Sequence, residues 1–195
     1  SFLYEIGWIR MLSLVLGSTT HSFELMLSAF IFGLAIGGYW IKNRIDRLKN
    51  PVRTLGTIQL VMGFFALFTL LSYGKTFDFM IYFIKGLAKT SQGYGLFNML
   101  SHGLCMIIML PATICAGMTL PIIIFYLISK GHGEGSIGKI YATNTLGSII
   151  GVILGVQLIM PILGLKSVII VGASIDILLG LFLLGISLSK VGKVR

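Results

Sequence analysis

The sequence predicts an all-α integral membrane protein, a polytopic bundle of about five or six transmembrane helices. Of its 195 residues, 56% are hydrophobic and only 11% are charged, and the mean hydropathy is +0.98. A soluble domain carries roughly 25% charged residues, so this chain has too few to cover a surface that faces water. Its apolar residues also form blocks of about 20, the helix length that crosses a hydrocarbon core of about 30 Å.

The apolar blocks predict six spans in one transmembrane domain that covers the whole chain. Polar, glycine-rich or proline-containing turns separate the blocks. The first block is short for a span, and we expect it to be cut at its amino end. The predicted spans are residues 2–16, 22–41, 54–73, 97–128, 139–160 and 167–188.

An additional helix is predicted at residues 77–89, between the third and fourth spans. At 100° per residue its polar side chains fall on one narrow face and its apolar side chains cover the other. The segment is too short to span a bilayer, so a helix lying in the outer interface is predicted. A loop packed onto the bundle is the alternative. The polar face consists of Asp78, Tyr82, Lys85 and Lys89.

The basic residues predict the orientation, because cytoplasmic loops collect Lys and Arg. With the 42–53 loop in the cytoplasm and the spans alternating, the 129–139 loop and the C-terminus also face the cytoplasm. That side holds ten basic residues and the outer side five, as expected for a multi-pass protein of the cell membrane. The ten are Lys42, Arg44, Arg47, Lys49, Arg53, Lys130, Lys139, Lys190, Lys193 and Arg195, and the five are Arg10, Lys75, Lys85, Lys89 and Lys166.

The same distribution argues against a nucleic-acid partner, although the net charge is +9. The positive charge lies in short loops between apolar blocks and does not form one continuous basic surface. The partner that the composition predicts is the lipid bilayer. Residues 133–138 fit the pattern G-x-G-x-x-G, but a dinucleotide site needs a preceding strand and a parallel sheet. We interpret this segment as a flexible loop and expect no cofactor.

Asp176 is the most informative polar residue within a span. It lies about 15 Å from the outer end of its helix by rise per residue, and a carboxylate at that depth must face protein or water. Gly172 and Gly180, one turn to either side, form a stripe of small residues that favours close helix approach. Two interpretations stay open: a cation or proton site, and a hydrogen bond or ion pair that fixes helix packing.

Three other charged residues complete a candidate intramembrane polar site. Arg10 and Glu24 lie near the first predicted hairpin turn and form a plausible ion pair, with Arg10–Asp176 as the competing pair. Glu5 lies deeper in the first span. Neither His21 nor His102 has neighbours with metal-ligand spacing, so no metal site is assigned. No arrangement typical of a catalytic centre stands out either.

Further glycines repeat at four-residue spacing and predict close helix packing. One pair lies on the second span and a set of three on the fifth. Amide side chains on the third and fifth spans could bond across helices. The glycines are Gly33, Gly37, Gly147, Gly151 and Gly155, and the amides are Gln59, Asn144 and Gln157.

Three blocks, taken in order, resemble the membrane domain of integral-membrane spermidine synthase-like proteins, in which a transporter-like helical half is fused to an aminopropyltransferase. The blocks are YEIGWIRMLSLVLGSTTHSFELMLSAFIFGLAIGG at 4–38, LPATICAGMTLPIIIFYL at 110–127 and GKIYATNTLGSIIGVILGVQLIMPILGLKS at 138–167. The third is the most specific. The resemblance implies a bundle similar to half of a major-facilitator fold, with a first helix that begins before Ser1.

Two departures from the family pattern matter. His21 and Glu24 stand where an aromatic and a small residue are expected, which favours a local polar role. The glycine-rich and acidic segments that hold substrates in the family's soluble domain have no counterpart in this sequence, so no catalytic residue is carried over.

These observations lead to three hypotheses about function. In the first, the chain is the non-catalytic membrane domain of a spermidine synthase-like protein, and it anchors, or also feeds, a cytoplasmic aminopropyltransferase domain. In the second, it is a small transporter or transporter half for a polyamine or another cation. In the third, it is a structural subunit that binds other membrane subunits.

The predicted orientation can be tested by cysteine labelling. Cysteines introduced near Arg47 and His132 should react with an impermeant reagent only from the cytoplasmic side, because both loops belong to the more basic side. A cysteine near Lys166 should react only from outside. Labelling of the first two positions from outside would overturn the topology.

Overall fold

The computed structural model describes residues 2–17, 20–86, 91–131, 133 and 135–192, and the regular structure in these ranges is entirely helical. Five helices are long and apolar enough to cross a membrane, which confirms the predicted class, and the first helix is shorter. A 3₁₀ turn, Ile45–Arg47, lies in the second loop. The helices are α1 (Phe2–Leu16), α2 (Thr20–Lys42), α3 (Pro51–Gly86), α4 (Ser91–Ser129), α5 (Gly135–Leu163) and α6 (Leu165–Gly192).

Residues 77–86 extend α3 and do not form the separate helix predicted at 77–89. The polar residues around Lys75 do not interrupt the helix. Thr76 is buried and donates a hydrogen bond to the Tyr73 carbonyl at 2.6 Å, so its hydroxyl is satisfied within the helix. Residues 87–89 lie outside the described residues.

Glycines and one asparagine shape the connections between the helices. Gly164 alone joins α5 to α6, and its φ of 86° is a conformation that L side chains rarely adopt. Its N–H donates to the Met160 carbonyl at 3.0 Å. Asn50 caps α3: its Oδ1 accepts the Arg53 N–H at 3.1 Å. Proline then occupies the first helical position, where a missing N–H costs least.

The fifth helix is the least buried of the five spans. Only 6% of its most apolar stretch is buried, against 22–39% for the other four. It contains a π-helical turn, Gly155–Ile159, shortly before Pro161. Proline has no N–H for the carbonyl one turn earlier, which accounts for the change in hydrogen-bond register there. Among the described residues, α5 is contacted by α1, α4 and α6.

The most extensive helix contact joins α2 and α4, which run parallel. Glycines make it possible on both sides. A Cβ built on Gly33 would collide with the Thr113 side chain, and one on Gly37 with the Ile114 carbonyl oxygen. From the other side, a Cβ on Gly117 would collide with the backbone of Leu34. Lipid provides no hydrophobic force that drives helices together, so their association depends on close packing. Small residues allow that packing because they let the two backbones approach.

The second large contact joins α3 and α6, which run antiparallel. Gly180 packs against α3: a Cβ there would lie 2.8 Å from the Gly56 carbonyl oxygen. In turn, a Cβ on Gly56 would lie 3.0 Å from the Gly180 carbonyl oxygen. Farther along, a Cβ on Gly63 would lie 2.8 Å from Ile177. Gly180, at one end of the predicted stripe on α6, is thus one half of a reciprocal glycine contact.

The predicted glycine face of α5 packs only toward its carboxyl end. A Cβ on Gly155 would lie 2.8 Å from Leu3, and one on Gly151 would meet Leu3 at an ordinary 3.8 Å. Gly147 does not share this contact, since a Cβ there would meet no described atom within 4 Å. The close-packing role expected for Gly147 stays a prediction, because within the described residues α1 reaches α5 through Leu3, beyond the level of Gly147.

The α2–α4 contact leads to a stability prediction. Gly37→Ala should destabilise the protein, by about 1–3 kcal/mol, because its methyl group meets backbone that cannot move aside. Gly103→Ala, on α4, is the matched control, since a Cβ there has open space and alanine favours the helix. Thermal unfolding in detergent measures both. A Gly37→Ala protein as stable as the Gly103→Ala protein would contradict the contact.

Candidate functional site

The candidate site is built on α1, the shortest of the six helices and the one that contacts each of the other five. Its buried residues recur at helical spacing, so one side of the helix is enclosed by the bundle. Tyr4 and Trp8 are among them, at 2% and 1% exposure. The buried residues of α1 are Tyr4, Gly7, Trp8, Met11, Leu12 and Leu16.

Tyr4 is the hydrogen-bond partner of Asp176. Its hydroxyl donates to Oδ2 of the carboxylate on α6. Within the described residues this is the one hydrogen bond to the Asp176 side chain, which is itself only partly buried. The polar residue at membrane depth therefore faces a neighbouring helix, and one of its carboxylate oxygens retains acceptor capacity.

Gly172 provides the space for this hydrogen bond. A Cβ at residue 172 would lie 2.9 Å from the Tyr4 ring. Gly172 precedes Asp176 by one helical turn, so both lie on the same side of α6. Gly172 leaves space for the Tyr4 ring, and Asp176 accepts the hydrogen bond from the Tyr4 hydroxyl. The stripe predicted as a helix-packing face is thus also the binding surface for one aromatic side chain.

Polar contacts continue from Tyr4 toward α3. The ring of Tyr4 stacks on Trp8, with centroids 5.4 Å apart and an interplanar angle of 27°. The Trp8 indole Nε1–H donates to Thr69 Oγ1 at 3.0 Å, and the Thr69 hydroxyl donates to the Ala66 carbonyl at 2.7 Å. One turn along α1, the Met11 carbonyl accepts the Tyr73 hydroxyl at 3.0 Å. Side-chain hydrogen bonds therefore link α1 to α3 as well as to α6.

The Tyr4–Asp176 hydrogen bond involves none of the other charged residues of the predicted site. Arg10 is exposed and sits 240° around α1 from Tyr4, by helix geometry, so Tyr4 occupies the place that the sequence assigned to Arg10 as a partner of Asp176. Glu5 is half-buried, and Glu24 is exposed near the start of α2. The Arg10–Glu24 pair stays a prediction.

The amide side chains do not act as expected across helices. Gln59 is buried, and its Oε1 has no hydrogen-bond partner within the described residues. Asn144 and Gln157 are exposed on α5. The amide that does link two helices is Asn50, which the sequence did not single out: its Nδ2 donates to Ser187 Oγ on α6 at 2.8 Å. The Asn-Pro pair at the start of α3 was the available signal.

The structure adds no metal centre to this arrangement. Within the described ranges, no three His, Cys, Asp or Glu side chains come together in a group that could hold an ion. His102 is half-buried on α4, with no hydrogen-bond partner for its Nδ1 in those ranges. The side chain of His21 lies outside the described part. Cys105 and Cys115 are both free and buried on α4.

Tyr4 was missed because a tyrosine near the end of a helix is usually read as an interfacial residue or as core. Its position one turn before Trp8, with Gly7 between them, was the available signal. The arrangement can act in two ways. It can hold α1 against α6, or it can present a carboxylate at membrane depth to a proton or an organic cation.

Comparisons with known proteins return no relatives of this chain. No family model matches it. No curated protein matches it, and no solved structure does.

Two substitutions at the pair separate its structural contributions. Tyr4→Phe should lower stability by about 1 kcal/mol, because it removes the donor to a partly buried carboxylate. Asp176→Asn should lower it less, since the amide oxygen still accepts the Tyr4 hydroxyl. Tyr39→Phe, at an exposed position, is the control. Thermal unfolding in detergent measures all three, and an Asp176→Asn protein less stable than Tyr4→Phe would contradict this assignment.

Binding of a polyamine to the Asp176→Asn protein then distinguishes the two roles. If the acid only fixes helix packing, the variant and the native protein should behave alike. If the charge attracts a cation, binding should disappear while the unfolding temperature stays close to the native value.

Proposed function

We propose that the chain is the membrane domain of a spermidine synthase-like protein and that it anchors a cytoplasmic aminopropyltransferase domain to the bilayer. Delivery of polyamine to that domain is a further role within the same proposal. The comparisons contribute no relative, so the proposal rests on the residues of the three resembling blocks and on what those residues do in the fold.

The observation that carries the proposal is the contact between the first and second blocks. Gly33 and Gly37 belong to the first, 4–38, and pack against residues of the second, 110–127. Gly117 of the second block packs in return against Leu34 of the first. The residues that carry the resemblance are therefore also residues on which the largest helix contact depends. A resemblance of fold would require contacts of this kind between the resembling blocks.

The third block, 138–167, covers most of α5, the least buried span. Thr143 and Asn144 are exposed there, and Asn144 lies about 8 Å inside the predicted span 139–160. Polar side chains at such depth favour contact with protein over contact with lipid. This supports a chain that works with a further domain or subunit, as in the proposed anchor, and it also favours the alternative of a structural subunit in a larger membrane complex.

The alternative of a cation or polyamine transporter half is favoured by Asp176. An acid at membrane depth with a free carboxylate oxygen is a feature of substrate and proton pathways. Uptake of radiolabelled spermidine into liposomes that contain the purified chain tests this alternative. Uptake that depends on Asp176 would favour the transporter over the anchor.

The proposal predicts that the purified 195-residue chain transfers no aminopropyl group. The chemistry needs a site that holds the donor and the amine, and the sequence contains no such segment. Product formation is measured with an aminopropyl donor and a diamine, for the native chain and for the Tyr4→Phe variant. The variant is the control for a contaminating enzyme, whose activity would not change with the substitution. Activity that purifies with the chain and changes with its variants would remove the proposal.

The gene sequence that follows the codon for Arg195 provides the complementary test. A glycine-rich catalytic domain in the same reading frame, with aminopropyl transfer in membranes that contain the full product, is the expected result. A second set of homologous helices would point to a transporter, and a stable stoichiometric membrane partner to a structural subunit.

A further inference from the structure

A cavity of about 550 Å³ opens at the end of the bundle where the basic loops meet. Three segments that are distant in sequence surround it: the turn at residues 48–52, the end of α4 at 125–130 and the end of α6 at 183–187. The Asn50–Ser187 hydrogen bond joins two of these segments at 2.8 Å. The cavity lies at the level of the membrane surface, because each of these segments is at the end of a span.

Its chemistry is divided between charge and apolar surface. Lys49 and Lys130, on different segments, both line the cavity and are both exposed. Within the described residues its lining contains no Asp or Glu. The remaining wall is largely apolar and includes Phe125, Leu183 and Ile186, which belong to the spans themselves. The cavity therefore presents two cations beside an apolar wall that is formed by residues of the spans.

We propose that this cavity binds an anionic phospholipid of the leaflet at the basic end of the bundle, with the phosphate at Lys49 and Lys130 and an acyl chain along Phe125 and Ile186. Basic pockets between spans suit anionic headgroups, and the cytoplasmic leaflet supplies them. A free phosphate would satisfy the lysines but would leave the apolar wall without a partner. A lipid satisfies both parts of the cavity at once.

The experiment measures binding of phosphatidylglycerol to the purified, delipidated chain by native mass spectrometry, with phosphatidylcholine as the neutral comparison. Replacement of both lysines, Lys49→Gln with Lys130→Gln, should weaken phosphatidylglycerol binding about 10- to 30-fold, because each cavity lysine then loses a direct contact with the phosphate that is worth about fivefold. The charge-matched control is Lys42→Gln with Arg47→Gln. These residues are exposed at the same end but lie outside the cavity lining, and the control should change binding by less than about twofold.

A second variant tests the apolar half. Ile186→Trp places a larger side chain in the apolar part of the cavity and keeps both lysines. It should therefore reduce phosphatidylglycerol binding while the unfolding temperature stays close to the native value. If that variant does not fold, the double lysine variant still tests the proposal, because both lysine side chains are exposed and their replacement should leave the fold intact.

Three outcomes would overturn the proposal. Equal losses in the two charge-matched pairs would mean general attraction to a basic surface. Displacement of the lipid by inorganic phosphate at similar concentration would mean a phosphate site without a lipid. Equal binding of phosphatidylcholine would mean that the charge has no role.

Discussion

A carboxylate eleven residues inside an apolar helix is the constraint around which this bundle is arranged. Hydrocarbon supplies no hydrogen-bond donor, so the protein must bring one to Asp176. It does so with Tyr4 of α1, and Gly172 makes room for the ring. The shortest helix, which also carries charged residues, is thereby held inside the bundle, where it contacts all five other helices.

The remaining helix contacts also reflect the limited interactions that are available in lipid. In lipid, helices associate through close packing and through hydrogen bonds between side chains. Glycines bring α2 against α4 and α3 against α6, and hydrogen bonds from Trp8 and Tyr73 join α1 to α3. The fifth helix has few such contacts and remains largely uncovered. The polar side chains of Asn144 and Gln157 are exposed on it.

The polar side chains discussed above lie in two places with different chemistry. The Tyr4–Asp176 pair lies at membrane depth, whereas the cavity with Lys49 and Lys130 lies at the basic end of the bundle. An acid in the interior suits a cation or a proton, and lysines at the membrane surface suit an anionic headgroup. The two places share no residues. A substitution in one therefore leaves the side chains of the other unchanged, and its effect can be assigned to the place where it was made.

The sequence by itself determined the class, a bundle of long apolar helices, and the positions of several glycines at which helices approach closely. Those properties follow from local composition: block length sets a span, and a small residue at helical spacing permits approach wherever the partner lies. Gly33, Gly37, Gly172 and Gly180 are examples. The tertiary structure decided the identity of the partners. Tyr4 rather than Arg10 lies beside Asp176, a Cβ on Gly147 would meet no described atom, and residues 77–86 continue α3. Partner choice depends on the relative rotation and register of helices that are distant in sequence, and hydrophobic periodicity does not encode either quantity.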